Sequence, residues 1–421
     1  MSTHRIINFE QLASSENRQI ALSIIEAGLD AIDTEKVITA SMSLDGSRLK
    51  IKNKFFDLAN FKKIIVIGFG KAASKAATAL EKILKEKISD GIVISTAEAE
   101  YARIKGFVGT HPMPSSHNVT ASKEIVELAE SLGKDDLAIV IVSGGGSALL
   151  CWPNEECEQG QKLYQDFLKT SGTIKELNTV RKHLSELKGG GLAKLLYPAK
   201  TIGLIFSDVP GDSYDEVASG PTYIDNTSAK DAAAILNKYG LKGYTLLDTP
   251  RDKKFFEKVD NIPIVSNTYA LAAMAKKAVE FGLTASIISN SLYETPPNAI
   301  GLIFSTAAEN HAVLTGGETK LQVTKDSGSG GRNQFLAMQA LLNIKPGQVF
   351  ISFASDGRDN GPAAGAIVDE KTLAKIKELR LDVNDYMNRF DAFNFFEKLK
   401  DLILTGSTGA NVSDLVLLLN K

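Results

Sequence analysis

The most constraining feature of this 421-residue sequence is a series of short apolar runs without polar alternation. These runs are rich in Val and Ile, and most precede a glycine- or serine-rich turn and then a helical pattern; they lie at 63–68, 90–96, 137–142, 201–208, 262–266 and 349–355. Such strands suit a parallel sheet with both faces covered, because helical crossovers lie on each face. We therefore predict an α/β protein throughout, preceded by a helix over about 15–40.

The length predicts more than one domain, since a single hydrophobic core stops growing beyond about 250–300 residues. Residues 225–260 form the most polar and least strand-like part of the middle of the chain. We place the junction there or slightly beyond and predict domains over 1–250 and 251–421, with a cleft between them.

The charge balance argues against large anionic partners. The chain carries 48 basic and 50 acidic side chains, so neither nucleic acid nor an anionic membrane is expected as the main partner. The N-terminus lacks a basic start followed by an apolar run, and no apolar stretch approaches membrane-spanning length. Cys151 and Cys157 are too few for a disulfide framework or a zinc site. We expect a cytoplasmic protein whose anion sites are local.

The turn after the first apolar run fits the GxGxxA pattern through Gly68, Gly70 and Ala73. The acid that a dinucleotide site would need after the next run is missing, because that run ends in Ser95 and Thr96. A tight turn that packs on the sheet explains the small residues equally well. Lys71, however, opposes the dipole of the following helix, and a negatively charged ligand would explain its presence.

A second strand-end loop, "SGGGSALL", contains three consecutive glycines between Ser143 and Ser147. Consecutive glycine N–H groups suit phosphate better than packing. Leu149 stands where a nucleophile elbow would need glycine, so a serine hydrolase is not expected.

The segment "ELNTVRKHLSELKGGGLA" predicts a helix that ends at 189–191. It would place Arg181, Ser185 and Lys188 on one face, either as a solvated basic face or as part of a binding site. We interpret His183 as a structural or surface histidine.

Two pairs of aspartates follow strands, Asp208 with Asp212 and Asp356 with Asp359. Each pair either caps the turn that follows or serves as a metal ligand or general base.

The last loop candidate follows "LTGGET" and consists of glycines 328, 330 and 331 before Arg332. We expect its backbone to wrap an anion at the start of a helix, where the guanidinium would offer a fork of donors to carboxylate or phosphate oxygens. A disordered linker is the alternative.

Taken together, these motifs resemble the class II glycerate kinases, the family that contains the MOFRL domain and was often labelled hydroxypyruvate reductase. The resemblance rests on "GFGKAA", "HPMPS", "SGGGSALL", "LNTVRKHLSELKGGGLA", "SDVPGD", "VASGPT", "LTGGET", "GSGGRNQ", "SDGRDNGPAAGA" and "TGSTGANVSDL" and covers the chain from about residue 64 onward. It implies a Rossmann-like N-terminal domain, a smaller MOFRL-type α/β domain and an active site in the interdomain cleft. The implied reaction moves the γ-phosphoryl group of ATP to the 2-hydroxyl of D-glycerate with a divalent ion.

The resemblance singles out Lys71 and Arg332 as contacts of the substrate and transition state. With Asp208 and Asp356 they form the expected catalytic set, and the two aspartates are also the expected Mg²⁺ ligands. The expected substrate- and nucleotide-binding residues are Gly68, Gly70, Ser143, Gly144, Gly145, Gly146, Ser147, Arg181, Gly317, Glu318, Gly328, Gly330, Gly331 and Asn333. The alternatives are an NAD(P)-dependent hydroxypyruvate reductase and a non-catalytic nucleotide- or carboxylate-binding protein. The oligomeric state stays open, a homo-oligomer included.

Overall fold

The structure, a computed structural model, describes residues 4–322 and 327–421. Its strands are β1 (Met42–Asp45), β2 (Arg48–Ile51), β3 (Lys54–Asp57), β4 (Ile64–Phe69), β5 (Asp90–Ser95), β6 (Lys105–Val108), β7 (Leu137–Ser143), β8 (Lys200–Phe206), β9 (Val259–Val265), β10 (Thr284–Leu292), β11 (His311–Gly317), β12 (Gln348–Ala354), β13 (Gly365–Asp369), β14 (Leu402–Ile403) and β15 (Asp414–Asn420).

The α-helices are α1 (Phe9–Leu12), α2 (Glu16–Ala31), α3 (Thr34–Ser41), α4 (Ala73–Leu84), α5 (Ser116–Glu130), α6 (Gly146–Leu149), α7 (Asn154–Phe167), α8 (Ile174–Lys182), α9 (Gly191–Leu196), α10 (Ala229–Lys238), α11 (Asn267–Glu280), α12 (Pro296–Ser305), α13 (Arg332–Ala340), α14 (Glu370–Glu378), α15 (Val383–Asn388) and α16 (Ala392–Leu399). Short 3₁₀ turns lie at Leu58–Asn60, Lys85–Lys87, Pro210–Asp212, Tyr214–Ser219 and Lys253–Phe255. Within the described ranges, none of the helices combines the length and apolarity that crossing a bilayer requires.

The chain divides into two compact units. One, the parallel-sheet unit, comprises Thr34–Val209 and Ser213–Ile264. The other, the mixed-sheet unit, comprises the described residues of Met1–Asp33, Pro210–Asp212 and Val265–Lys421. These units differ from the predicted ranges 1–250 and 251–421, because the first 33 residues join the C-terminal part and the boundary lies after Ile264.

The parallel-sheet unit contains a six-stranded sheet with the order β6-β5-β4-β7-β8-β9. Strands β6, β5, β4, β7 and β8 run parallel to one another. Every residue of β4 and β7 is buried, and helices α4 and α5 pack on the sheet. This arrangement confirms the parallel α/β prediction for the runs at 63–68, 90–96, 137–142 and 201–208. The parallel-sheet unit also contains a small antiparallel sheet, β1-β2-β3, that was not predicted from the sequence.

The mixed-sheet unit is built on the strand order β10-β11-β15-β12-β13-β14. Only β10 and β11 pair in parallel, whereas β15 runs antiparallel to both β11 and β12. The run at 349–355 does form a strand, but the expectation that it lies in a parallel sheet was wrong. Phe350 and Ile351 point to opposite faces and are both fully buried, so helical cover on both faces produces an unalternating apolar run regardless of strand direction.

The predicted helix over 15–40 is two helices, α2 and α3, and α2 is anchored in the mixed-sheet unit by a buried arginine. Arg18 is 1% exposed and forms a bidentate pair with Asp369, with both N···O distances at 2.7 Å. Its Nη1 donates to Asp401 at 2.9 Å, and Thr372 accepts from Nη2. Satisfying this charge requires side chains about 350 residues away, which explains why the N-terminal segment joins the C-terminal unit.

Replacing Arg18 with Ala should destabilise the mixed-sheet unit strongly. Removing one partner of a buried ion pair typically costs about 3–5 kcal/mol, because the remaining charges stay buried without compensation. Urea unfolding followed by circular dichroism measures the loss. Arg5→Ala is the matched control, since Arg5 pairs with Asp30 and Asp33 near the surface and should cost about 1 kcal/mol or less. Equal losses in the two variants would contradict the anchoring role of Arg18.

Candidate functional site

The strand order of the parallel-sheet unit places its best ligand position between β4 and β7. Strand connections leave β4 toward β5 and β6 on one side and return to β7, β8 and β9 on the other. Ligands of open α/β sheets bind outside the carboxyl ends of the strands at such a switch point. The loops there are the β4–α4 turn, which holds Gly70 and Lys71, and the β7–α6 turn, which holds the three glycines 144–146.

Gly70 allows these two loops to touch. It adopts φ +119°, and a Cβ built on it would lie 2.1 Å from Oγ of Ser143. Ser143 accepts a hydrogen bond from the amide of Ala72 at 3.2 Å and is 1% exposed. The structure therefore places Ser143 as a brace of the β4–α4 turn. Gly68 packs against Val93, so both glycines of the GxGxxA pattern have steric roles in this turn.

The β7–α6 turn with its glycines 144–146, called the glycine loop below, is in contact with charged side chains. The amide of Lys71 donates to the carbonyl of Gly144 at 2.8 Å. A Cβ built on Gly144 would lie 1.9 Å from Oδ2 of Asp208, so this carboxylate sits directly on the loop. A Cβ built on Gly145, at φ +81°, would lie 3.1 Å from both Cγ of Lys71 and Cδ2 of His111. The structure thus brings together Lys71, Asp208 and the glycine loop, as predicted, and adds His111.

The end of the loop is bound to a neighbouring turn. Oγ of Ser147 lies 2.9 Å from Oγ of Ser219, and the Cα of Gly146 packs closely on Ala218. Gly146 therefore has a packing role, because a side chain there would collide with Ala218. Ser147 forms a polar contact with Ser219 at the end of the loop.

Arg181 adds a positive charge to this site. Its guanidinium donates to Asn178 at 3.3 Å, but it has no ion pair with any described residue. Half-buried, it lines a small cavity with Pro112, Pro114 and Ser147. Burial lowers the pKa of Arg181 to about 10, which records an unfavourable environment for its charge.

The positive charges of this site also affect the pKa of His111. Part of its ring faces solvent, yet partial burial and then the charges of Lys71 and Arg181 lower its pKa to about 4. His111 is consequently neutral at physiological pH. The sequence analysis did not assign it a role; its place in "HPMPS", one of the motifs that carry the resemblance, was the available signal.

The helix that was predicted to end at 189–191 ends earlier than expected. α8 stops at Lys182, and Oγ of Ser185 accepts from the amides of Leu187 and Lys188 in a turn. The solvated basic face was a wrong interpretation, because Lys188 is 1% exposed and pairs with Glu156.

The neighbouring charges of this segment are also buried and paired. Lys182 lies 2.9 Å from Glu216 and 3.6 Å from Asp225. His183 is fully buried, with Nδ1 2.8 Å from the carbonyl of Leu247, which confirms its structural interpretation. Arg181 is thus the one predicted binding residue here that stays unpaired within the described ranges.

The mixed-sheet unit holds a second polar cluster around Arg332. Its Nη2 lies 2.9 Å from Glu318, and its Nε donates to Asp414 at the start of β15. Burial lowers the pKa of Arg332, but Asp414 and Glu318 together raise it above its ordinary value. Burial raises the pKa of Asp414 to about 6 despite this pairing. Glu318 and Arg332 were predicted to belong to one site, whereas Asp414 was missed because β15 lies far along the chain.

The start of α13 holds a protein carboxylate. Asp359 accepts from the amides of Asn333 at 3.1 Å and Gln334 at 2.8 Å. A Cβ on Gly331 would lie 2.2 Å from Oδ1 of Asp359, which explains this glycine sterically. The anion predicted at this helix start is, in the structure, the side chain of Asp359. The side chain of Asn333 is occupied as well, since its Oδ1 accepts from Ser352 at 2.6 Å.

The remaining predicted residues of this unit are held by neighbouring backbone. The amide of Gly328 donates to the carbonyl of Arg389 at 2.7 Å, and Gly330 packs on Phe393. Gly317, at φ +136°, lies against the backbone of Leu292. Asp356 accepts from the amide of Arg358 at 3.0 Å, a turn-capping contact. The ligand-binding roles of these residues, and the cleft expected between the domains, stay predictions.

Metal ligation also stays a prediction. Within the described ranges no group of three His, Cys, Asp or Glu side chains could hold a metal ion. Asp208 belongs to the parallel-sheet unit and Asp356 to the mixed-sheet unit. A magnesium site that completes its shell with substrate phosphates and water needs only one or two carboxylates, so the residues fit such a site.

The pKa of His111 tests the arrangement of the glycine loop directly. The Cε1 proton of His111 should titrate near pH 4 in NMR spectra. Lys71→Met and Arg181→Met should each move this titration to higher pH, because each removes a nearby positive charge. Lys87→Met, which changes an exposed lysine after α4, should leave it unchanged. A His111 titration near pH 6.5 in the unmodified protein would contradict the described site.

Comparisons with known proteins identify two family models and several relatives that match the chain. The family model described as "Domain of unknown function (DUF4147)" matches residues 20–249, and the MOFRL family model matches residues 311–414. The chain is 33% identical to D-glycerate 2-kinase of Thermotoga maritima, over 95% of this chain and 97% of that protein. It is also 33% identical to glycerate 2-kinase of Pyrococcus horikoshii, over 95% and 96%. The crystal structure of glycerate kinase from Thermotoga maritima superposes with a TM-score of 0.82 at 30% identity, covering 96% of this chain and 99% of that one.

Proposed function

The chain belongs to the glycerate 2-kinase family, and we propose on that premise that it transfers the γ-phosphoryl group of ATP to the 2-hydroxyl of D-glycerate. The products are 2-phosphoglycerate and ADP. The observation that carries the proposal is the positive charge of Lys71 and Arg181 beside the glycine loop at the β4–β7 switch point. Among the described residues, no carboxylate forms an ion pair with Arg181.

Arg181 is proposed to bind the carboxylate of glycerate. A half-buried guanidinium without a carboxylate partner is unfavourable in the free protein, and an anionic ligand would compensate it. Guanidinium and carboxylate match geometrically as a two-pronged pair. Ser147 borders the cavity beside Arg181, and its hydroxyl, 2.9 Å from Oγ of Ser219, is proposed as a further hydrogen-bonding group for the substrate.

Lys71 and the glycine loop are proposed to hold the transferred phosphoryl group. Phosphoryl transfer asks a protein mainly to align the reactants and neutralise charge on the moving group. Lys71 is exposed, forms no ion pair with a described residue and has its stem fixed against Gly145. Backbone amides of consecutive glycines complement this point charge.

Asp208 is the proposed acceptor of the proton from the 2-hydroxyl, or the ligand of Mg²⁺. His111 is a poor proton acceptor, because its pKa of about 4 leaves its neutral ring weakly basic. Asp208 is the carboxylate in contact with the glycine loop. A bound magnesium ion would neutralise phosphate charge, and a carboxylate oxygen is the ligand it prefers.

Arg332 is proposed as a second substrate-contacting cation. Glu318 and Asp414 hold its Nε and Nη2, while no described residue accepts from Nη1. This leaves one edge of the guanidinium for an anionic oxygen, and the orientation of the guanidinium is fixed before the ligand arrives.

Asp356 remains a proposed proton acceptor or magnesium ligand on the sequence argument alone.

Glycerate-dependent release of ADP tests the proposed reaction. Purified protein with ATP, Mg²⁺ and D-glycerate should release ADP, and the product should be 2-phosphoglycerate rather than 3-phosphoglycerate. The same protein with hydroxypyruvate and NADH tests the reductase alternative. Oxidation of NADH without glycerate-dependent ADP release would overturn the proposal, and ADP release that ignores glycerate would count against it equally.

Lys71→Ala should lower kcat by about 100-fold or more, in line with the loss of one group that stabilises charge in the transition state. The side chain is exposed, so the thermal unfolding midpoint should hardly change. Lys87→Ala, another exposed lysine of the same unit, is the control and should keep normal turnover. Turnover of the Lys71 variant within a few-fold of normal would refute the assigned role.

Arg181→Met should separate binding from stability. The KM for glycerate should rise about 10- to 100-fold, since a hydrogen-bonded charge pair is worth about 1.5–3 kcal/mol. The thermal midpoint of the free protein should stay constant or rise, because the substitution removes a half-buried charge without a carboxylate partner. Arg103→Met on the exposed surface is the control. Lower stability with an unchanged glycerate KM would show a structural role instead.

A further inference from the structure

A cavity beside the β4–α4 turn has no role in the proposed transfer of the phosphoryl group. It measures about 580 Å³ and lies at the carboxyl ends of β5 and β6. Its wall includes the acidic residues Glu98 and Glu100, the ring of Tyr101 and the apolar side chain of Val108. This volume lies within the range of pockets that enclose small ligands, about 300–1,000 Å³.

The wall of the cavity is continuous with the β4–α4 turn. Ser95, which lines the cavity, donates its hydroxyl to the carbonyl of Gly70 at 3.0 Å. The same hydroxyl lies 3.3 Å from Oγ of Ser74 in the first turn of α4, and Tyr101 donates to the carbonyl of Ser74 at 3.4 Å. A ligand with phosphates at the β4–α4 turn therefore has the cavity directly beside it.

The loop that forms the cavity is fixed in place. Both carboxylate oxygens of Glu81 accept backbone hydrogen bonds, from Ala102 at 2.9 Å and Arg103 at 2.8 Å. The ring of Tyr101 packs on Gly106, where a built Cβ would lie 2.9 Å from Cε2. The cavity is thus a built feature of the strand ends rather than a gap under a loose loop.

Glu98 and Glu100 have no hydrogen-bond or ion-pair partner among the described residues. The strand β5 itself ends in Ser95 and lacks the acid that a nucleotide-binding sheet places there, but these two acidic residues follow within five residues and line the cavity at this strand end. Carboxylates at this position of such sheets accept hydrogen bonds from ribose hydroxyls. The aromatic and apolar part of the wall suits the face of a base.

We propose that this cavity binds the nucleoside of the phosphoryl donor, with Glu98 and Glu100 accepting from the ribose hydroxyls and the base lying against Tyr101 and Val108. This assignment rests on the proposed function for the identity of the donor, ATP. It places the triphosphate toward Gly70 and Lys71, within the parallel-sheet unit.

The double variant Glu98→Ala/Glu100→Ala tests the assignment by steady-state kinetics. The KM for ATP should rise about 10-fold or more, while kcat and the KM for glycerate stay within about twofold. Glu130→Ala/Glu155→Ala is the matched control, because it removes two exposed carboxylates of the same unit that have no partners among the described residues. An unchanged KM for ATP, or a change confined to the KM for glycerate, would overturn the assignment.

Binding measurements keep the test independent of turnover. By calorimetry the unmodified protein should bind ATP about 10-fold more tightly than 2′,3′-dideoxy-ATP, and this difference should shrink in the double variant. Inorganic tripolyphosphate, which has no nucleoside, should bind both proteins equally. A preference for ATP that survives in the double variant would place the ribose elsewhere. Ribose-dependent ATP binding without glycerate-dependent ADP release would support the cavity assignment and refute the proposed reaction.

Discussion

The close approach of two strand-end loops is the constraint on which the rest of the candidate site depends. The β4–α4 and β7–α6 turns meet because Gly70 and Gly144 have no side chain, and the amide of Lys71 donates to the carbonyl of Gly144. A methyl group at Gly70 would collide with Ser143, and one at Gly144 with Asp208. The absence of a side chain at Gly145 also leaves room for the stem of Lys71. The steric closeness of the two loops and the anion binding that we propose therefore depend on one arrangement.

The treatment of buried charge distinguishes the site from the rest of the protein. Arg18, Lys182 and Lys188 are all buried, and each has carboxylate partners. Arg181 follows the opposite pattern, since it is half-buried without an ion pair to a described residue, and it lowers the pKa of nearby His111. Structural ion pairs stabilise the fold, while an unmatched cation at a switch point retains the capacity to bind an anion. This contrast explains why only one of several basic residues in that segment is assigned to substrate.

Local patterns in the sequence were enough to predict the strands β4, β5, β7, β8, β9 and β12 and the glycine- or serine-rich turns that follow most of them. The family resemblance grouped Lys71 with Asp208. Contacts between distant segments were not predictable in the same way. The sequence near Arg18 does not indicate that Asp369 is its partner. The sequence near Gly331 does not indicate that Asp359 occupies the start of α13. Lys188 is predicted to lie on the surface unless its contact with Glu156 is known. Strand direction was also hidden for β12, because helical cover on both faces gives the same apolar run in either orientation. The family resemblance supplied the reaction, which residue spacing alone left open.

A crystal structure with D-glycerate and a non-hydrolysable ATP analogue tests the central claim most directly. We expect the carboxylate of glycerate to pair with the guanidinium of Arg181, and the terminal phosphate to lie within hydrogen-bond distance of Lys71 and the glycine loop at 144–146. Ligands whose anionic groups bind away from this loop, with Arg181 still unpaired, would contradict it.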